Sequence, residues 1–481
     1  MTLTRRDVWK LNAPWDPITR AYALAVGEMQ QRPADDPTSW EYQASVHGVG
    51  SVFDPPPDDF LSQCQHNSSF FLPWHRWYLY EFEQIVRATI ASIAEVPADV
   101  KATWALPYWD YSRTGASQLP PAFRETKLWD GVRDNPLRVK GRSPGLNEGT
   151  ARISASIASP LPGVLDQSFS STFATPTFGG SEFIGRHHFH EKWANPGGLE
   201  STPHNNVHGA VGGLMLDFST AALDPIFWLH HCNIDRWWEV RGHTAPHTDP
   251  TGAWATFLFD FHDGTGAPVR VKAGDSVATE AKLGYKYESI TRPGGPPRPP
   301  SRRRQGIDVE AAPGAPAGPE LPPEIVGHSD DGLSLTGAPA SLGFAVGAPT
   351  NQFRAARPFA AAEDDHEAHR VILNVEDIRG AQNPGTSYEV YLGAQTPQHL
   401  AGVLSFFGIE MTQPDAADPH GLRYVFDITD VVDHLRDEQA WDPTDIQVSF
   451  KPVGLDYDDE PPSAGEPQPE VTIGRVSISY Q

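Results

Sequence analysis

The sequence predicts two unlike parts, a mainly α domain over residues 1–290 and a β-sandwich over residues 326–481. Three observations predict this. Apolar residues recur at helical spacing in the first part, they alternate in the second, and a Pro/Gly/Arg-rich stretch at 291–325 divides the two. Asp16 to Gln31 opens on Asp-Pro and then sets Ile18, Tyr22, Ala25, Val26 and Met29 along one helical face. Trp77 to Ile93 repeats the pattern with Leu79, Phe82, Ile85, Val86 and Ile90. Gly131 to Gly180 is full of Pro, Gly and Ser without a period, so irregular loop wrapping the helices is expected there. The dividing stretch, with Arg302-Arg303-Arg304, cannot bury a core and is expected to be extended, exposed and open to proteolysis. Beyond it, Val371–Val375, Ser387–Leu392, Arg423–Ile428, Ile446–Lys451 and Val471–Tyr480 read as short strands between turns.

Composition narrows the function classes. With 481 residues the chain can bury large cores, and its 39% hydrophobic content includes no run of membrane-spanning length. The net charge of −24 argues against nucleic acid and anionic membrane surfaces as partners. Residues 320–481 hold 27 acidic against 8 basic residues, so the acidity belongs to the C-terminal part. Two cysteines, Cys64 and Cys232, cannot make a disulfide framework. Arg5-Arg6 is followed by Leu-Asn-Ala-Pro-Trp-Asp rather than an apolar export signal, so a cytoplasmic protein is expected, or one exported with a partner.

The chemistry lies in two histidine sets. The first is His47, then His66-Asn-Ser-Ser-Phe-Phe-Leu-Pro-Trp-His75, with His75 opening the Trp77–Ile93 helix across a bend. The second is His204-Asn-Asn-Val-His208, then Asp224-Pro-Ile-Phe-Trp-Leu-His230-His231-Cys-Asn233-Ile-Asp235-Arg-Trp-Trp. His204 and His208 stand four apart, which puts both imidazoles on one face of a helix. Surface pairs at that spacing are common, and each histidine alone reads as structural. Together, among Phe and Trp side chains, buried imidazoles are costly unless metal or hydrogen bonds satisfy them. Two neutral triplets without a carboxylate suit two coppers alternating between Cu(I) and Cu(II) around dioxygen, whereas two-metal hydrolases and di-iron sites usually recruit Asp or Glu.

Over about the first 290 residues these blocks resemble the copper signatures of the tyrosinase, catechol oxidase and molluscan haemocyanin family. The resemblance implies a four-helix bundle around a dicopper centre, with one ion on His47, His66 and His75 and the other on His204, His208 and His231. His230 is then outside the ligand set, and Asn233 and Asp235 orient the ligating imidazoles; a local Asp235–Arg236 ion pair is the plainer reading. Cys64-Gln65-His66 is similar to the thioether cross-link of fungal and molluscan members, against the plainer reading of a buried thiol. Cys232 reads as core packing. Glu200 and Asn205 resemble the pair that holds a water and draws the proton from a phenol, although Glu200 could simply cap or flank the His204 helix as a favourable charge. Phe218 resembles the gate residue of plant catechol oxidases. Tyr285 and Tyr287 resemble the family's Tyr-x-Tyr motif, which packs near an N-terminal arginine, here Arg5 or Arg6. His187, His188 and His190 read as a solvated loop cluster or an aid to copper loading.

The β-rich part is similar to the C-terminal shielding domain of plant and fungal polyphenol oxidases, with Arg302–Arg304 as an activation cut and Phe406 or Phe407 as a plug if they lie on a loop. The expected activity is oxidation of o-diphenols to o-quinones by O2, with ortho-hydroxylation of monophenols, in a chain latent until the C-terminal domain is removed. The partners are a small phenol and O2, with a copper-delivery protein possible. A catechol oxidase without monophenol activity, a haemocyanin-like oxygen carrier and a dizinc hydrolase are the rival readings.

Overall fold

The computed structural model describes residues 2–12, 14–49, 60–160, 164, 168–173, 175–182, 195–244, 250–291, 322–347, 370–412, 421–459 and 468–481. The linker at 292–321, with Arg302–Arg304, and the His187–His190 cluster lie outside these residues. Helix α1 (Pro17–Met29) starts where Asp16 accepts the Ile18 N–H and proline fills the first position, which needs no donor. Ser39 caps α2 (Trp40–His47) in the same way through the Tyr42 N–H. Helix α3 (Phe71–Ser92) begins six residues before the expected Trp77. Phe-Leu-Pro forms its first turn rather than a bend, because Pro73 occupies a position whose N–H would have no partner in the helix. His75 is therefore inside the helix. Helix α4 (Asn206–Val211) carries His208, while His204 sits in a wide turn, Glu200–Asn205, interrupted by the extended Thr202. The two histidines do not share one regular helix, yet their ring centroids are 4.6 Å apart. Helix α5 (Ile226–Thr244) carries His230 and His231.

A buried charge network pins this domain. Strand β1 (Leu3–Arg5) pairs in parallel with β5 (Tyr285–Tyr287). From there Arg5 reaches Glu83 on α3 at 3.0 Å and Asp235 on α5 at 3.3 Å, and its guanidinium lies 3.7 Å from the Tyr285 ring centroid. Arg5 is the arginine of the Tyr-x-Tyr contact; Arg6 is 41% exposed and faces Glu288. Asp235 also accepts from Arg76 and from the hydroxyls of Tyr285 and Tyr287. Burial alone would raise its pKa, but Arg76 and Arg5 outweigh that and hold it below the usual carboxylate range. Asp235→Ala should cost about 3–5 kcal/mol in a urea unfolding titration, since two buried guanidiniums lose their shared counter-charge; a loss under about 1 kcal/mol would contradict the network's role.

The C-terminal part is a sandwich of two antiparallel sheets. One runs β11 (Leu400–Leu404), β10 (Ser387–Leu392), β13 (Ile446–Val453), β8 (Ala340–Phe344). The other runs β12 (Leu422–Asp427), β9 (Val371–Gly380), β15 (Val471–Tyr480), β6 (Glu324–His328), with β7 (Leu333–Leu335) also on β15. The expected strands are present. The unexpected ones are short, and Ala340-Ser-Leu-Gly-Phe lacks the β-branched residues that mark a strand. Helix α6 (Thr429–Asp437) was also not expected. A small sheet joins the two parts, where β14 (Leu455–Tyr457) pairs with β2 (Ala151–Ile153) of the Pro/Gly/Ser-rich wrap. A hairpin of β3 (Leu258–His262) and β4 (Pro268–Lys272) completes the N-terminal domain. Among the described residues no helix is long and apolar enough to cross a membrane.

Candidate metal centre

Helices α2, α3, α4 and α5, with the segment before α3, bring all the predicted histidines into one buried cluster. His47, His66, His75, His204, His208, His230 and His231 are each at most 3% exposed. Four of them are aimed by acceptors on Nδ1. His47 Nδ1–H donates to the Phe218 carbonyl at 2.7 Å, His75 to Phe71 O at 2.8 Å and His208 to Met215 O at 2.9 Å. His204 donates to Asn205 Oδ1 at 2.7 Å. In a neutral imidazole this leaves the lone pair on Nε2. The Nε2 atoms then converge, with His204 and His208 standing 3.3 and 3.4 Å from His231 Nε2. The buried His47 Nε2 has no hydrogen-bond partner.

Lone pairs brought together in an apolar pocket repel unless a cation lies among them. Burial also keeps the rings in the neutral, ligating form: it pushes His47 down to about 4 and holds His204, His208, His230 and His231 well below the usual histidine range. The donor set therefore fits metal ions that prefer nitrogen. Two overlapping groups have ligand atoms within 4.8 Å of one another, His47–His75–His231 and His204–His208–His230–His231. His230 lies in the second of these groups, beside His231.

The orienting groups differ from those expected. Asn233 accepts from Arg236, and Asp235 belongs to the Arg5–Arg76 network, so neither is bonded to an imidazole. Nor does Arg236 form the local pair with Asp235; it turns to Asp110 at 3.4 Å. Main-chain carbonyls orient three of the four rings, and these carry no side-chain signature that sequence reading could find; the fourth, His204, is held by the Asn205 side chain. Gly48 makes one of them possible: a Cβ there would lie 2.8 Å from Phe218 O, the atom that holds His47. Phe218 thus serves the site through its carbonyl, while its ring packs beside Gly48.

Cys64 lies in a third group with His47 and His66, its sulfur within 4.8 Å of their nitrogens. Cys232 is wholly buried in the helical core. Glu200 does not cap the helix. Its Oε1 accepts the Asn67 N–H at 2.8 Å, and its buried Oε2 has no hydrogen-bond partner. Burial pushes its carboxyl up to about 8, against the pull of the backbone donors.

Glu200, Asn205, His66 and Asn67 form one wall of a small cavity. The opposite wall comes from the C-terminal domain. There the chain leaves β11 into a turn at Gly408, whose φ of +83° suits glycine, and the turn splits the two phenylalanines. Phe406 packs inside the sandwich, while Phe407 enters the helical domain's core. The Phe407 ring stacks on His208 at 4.2 Å and meets His204 and His66 at 5.6 and 5.8 Å. Beside it the Tyr424 hydroxyl accepts from Asn205 Nδ2 at 3.2 Å.

Comparison with known proteins places these features in context. Residues 37–241 match the common central domain of tyrosinase, 252–299 the polyphenol oxidase middle domain, and 322–481 a domain of unknown function. The chain is 32% identical to tyrosinase HcTyr1 of Hahella sp. (strain CCB-MM4), over 99% of this chain and 98% of that one. It is 30% identical to the chloroplastic polyphenol oxidase II of Ipomoea batatas, over 60% of this chain and 50% of that relative's length. The fold is similar to that of latent apple tyrosinase, with a TM-score of 0.62, 23% identity and coverage of 100% and 97%.

Proposed function

Because the chain belongs to the tyrosinase and polyphenol oxidase family, whose members are copper oxidoreductases acting on phenols with O2, we propose that its histidines hold the two coppers as two triplets. His47, His66 and His75 take one ion. His204, His208 and His231 take the other, with His231 preferred over His230 because its Nε2 faces those of both His204 and His208. The observation that carries this is the set of buried imidazoles fixed through Nδ1, with Nε2 left for a metal. Bound copper supplies the redox exchange with O2; the chain supplies geometry, dryness and proton handling.

The finer reading is a latent tyrosinase that hydroxylates monophenols as well as oxidising o-diphenols. Its support is the pairing of Glu200 with Asn205 on one cavity wall. With the charge of bound copper keeping Glu200 ionised and Tyr424 withdrawn from Asn205, a phenol entering between them would give its proton to the open Glu200 Oε2, and the Asn205 amide would orient the oxygen. Phe218, read as a gate, favours the catechol-only alternative; its ring packs beside Gly48. Glu200→Gln keeps the shape and removes the base, so O2 uptake on tyramine should fall at least tenfold, with a smaller effect on a catechol. Equal losses on both substrates would overturn the assignment. In the metal-free chain the same group sets a pH trend. Its folded pKa lies above the ordinary carboxylate value, so its contribution to stability is full below about 4 and declines as pH rises through about 8. Glu200→Gln should flatten that decline in melting temperature measured from pH 5 to 9.

Latency has its own support in Phe407 and Tyr424, both presented by the C-terminal domain. Release would follow cleavage in the linker, with Arg302–Arg304 as the proposed cut. Uptake of O2 on tyramine by copper-loaded, cleaved protein tests the whole reading, and uptake on a catechol alone would make it a catechol oxidase. We also propose the Cys64–His66 thioether. A sulfur–carbon bond would replace S–H and ring C–H, with the two protons and two electrons passing to O2 to give hydrogen peroxide. Copper- and O2-treated protein should be lighter by two hydrogen atoms in intact mass, and Cys64→Ser should show no such change; an unchanged wild-type mass would contradict the cross-link.

A further inference from the structure

We propose that His399, His434 and Glu438 on the C-terminal domain form a separate site for one divalent ion of the zinc or copper(II) type. The three ligand atoms lie within 4.8 Å of one another. His434 and Glu438 are four apart at the C-terminal end of α6, which sets them on one face. His399 comes from the turn Pro397–His399 before β11, and is 5% exposed. Its Nδ1–H donates to the Ala394 carbonyl at 3.1 Å, so in the neutral ring the Nε2 lone pair points at Glu438 Oε2, 3.2 Å away. His434 Nε2 approaches the other oxygen, Oε1, at 3.3 Å. In the tautomer that Ala394 fixes, His399 Nε2 and Glu438 Oε2 face each other as two lone-pair atoms, a contact that positive charge between them would satisfy.

A proton or a metal ion would supply that charge, and the convergence of three ligands favours the metal. Charge-assisted N–H···O bonds contract to about 2.7–2.9 Å. Ligands held about 2.0–2.1 Å from a tetrahedral ion are spaced about 3.3 Å apart. The observed separations, 3.2 Å to Oε2 and 3.3 Å to Oε1 of the one carboxylate, leave room for an ion among the three side chains. Among the described residues, Glu438 pairs with these two imidazoles and with no lysine or arginine. Its carboxylate is 47% exposed, which leaves water room to complete the coordination. Two imidazoles and a carboxylate suit zinc or copper(II) better than magnesium or calcium, which favour oxygen. A bound ion would tie the turn to α6 and stabilise the domain by mass action.

The test uses full-length protein loaded with only two equivalents of copper, then dialysed against micromolar zinc sulfate at pH 8, with both metals counted per chain. The wild type should keep two coppers and take up zinc; His434→Ala and, separately, Glu438→Gln should each take up one zinc fewer while keeping two coppers and the wild-type catechol rate. Zinc should also raise the melting temperature of the wild type and not of the variants. Equal zinc uptake by wild type and both variants, or none by the wild type, would overturn the site. Because copper is counted separately, failure here is distinct from failure of the dicopper assignment.

Discussion

Phe407→Ala in the uncut, copper-loaded chain is expected to raise catechol oxidation about 30–100-fold. A buried Phe ring contributes about 2–3 kcal/mol relative to exposure, and each 1.4 kcal/mol is a factor of ten in the closed-to-open ratio. In the proposed latent state the ring closes the site by stacking on His208, so its removal weakens that state without altering a proposed ligand. Tyr424→Phe removes a single hydrogen bond to Asn205, worth about 1 kcal/mol, and should give roughly a fivefold rise. Initial rates of catechol oxidation before and after linker cleavage check both. After cleavage the wild type and the variants should converge. A Phe407→Ala chain that stays as slow as the uncut wild type would show that the block lies elsewhere.

His208→Ala is expected to lower copper from two ions to about one per chain and catechol turnover by at least about a thousandfold. Loss of a hydrogen-bonding partner behind a ligand already costs about 10–100-fold in metal affinity, and loss of the ligand itself removes one of three nitrogens. His208 is held by Met215 O with its Nε2 3.4 Å from His231 Nε2, so its loss leaves His204 and His231 as two of the three proposed nitrogens. Elemental analysis alongside oxygen uptake checks this, with circular dichroism showing that the fold persists. Full copper retention would remove His208 from the ligand set.

Much of the fold was legible because the signals were local. Asp16-Pro17 and the spacing of Ile18 to Met29 specify α1 without help from the rest of the chain, and the alternation in Val471–Tyr480 specifies β15. The start of α3 was not, because Phe-Leu-Pro reads as a break unless the proline is recognised as lying in the first turn. The histidines were legible for a different reason, since so many imidazoles among aromatic residues could not all be buried cheaply without a metal to bind them. Their supports were not. The carbonyls of Phe218, Phe71 and Met215 belong to positions chosen by backbone path, and any residue type could have supplied them. Asp235 was misread because its ties to Arg5, Arg76 and the tyrosines span up to 230 positions, which hides a structural role behind a functional-looking motif. Phe407 could be singled out only once the turn at Gly408 divided it from Phe406.

Anomalous scattering at the copper edge, from crystals of the copper-loaded full-length chain, tests the central claim most directly. The account predicts two copper peaks inside the helical domain, one bounded by His47, His66 and His75 and the other by His204, His208 and His231, with His230 unligated and the Phe407 ring over the second. A single peak there, or a second copper held by His230 in place of His231, would contradict it.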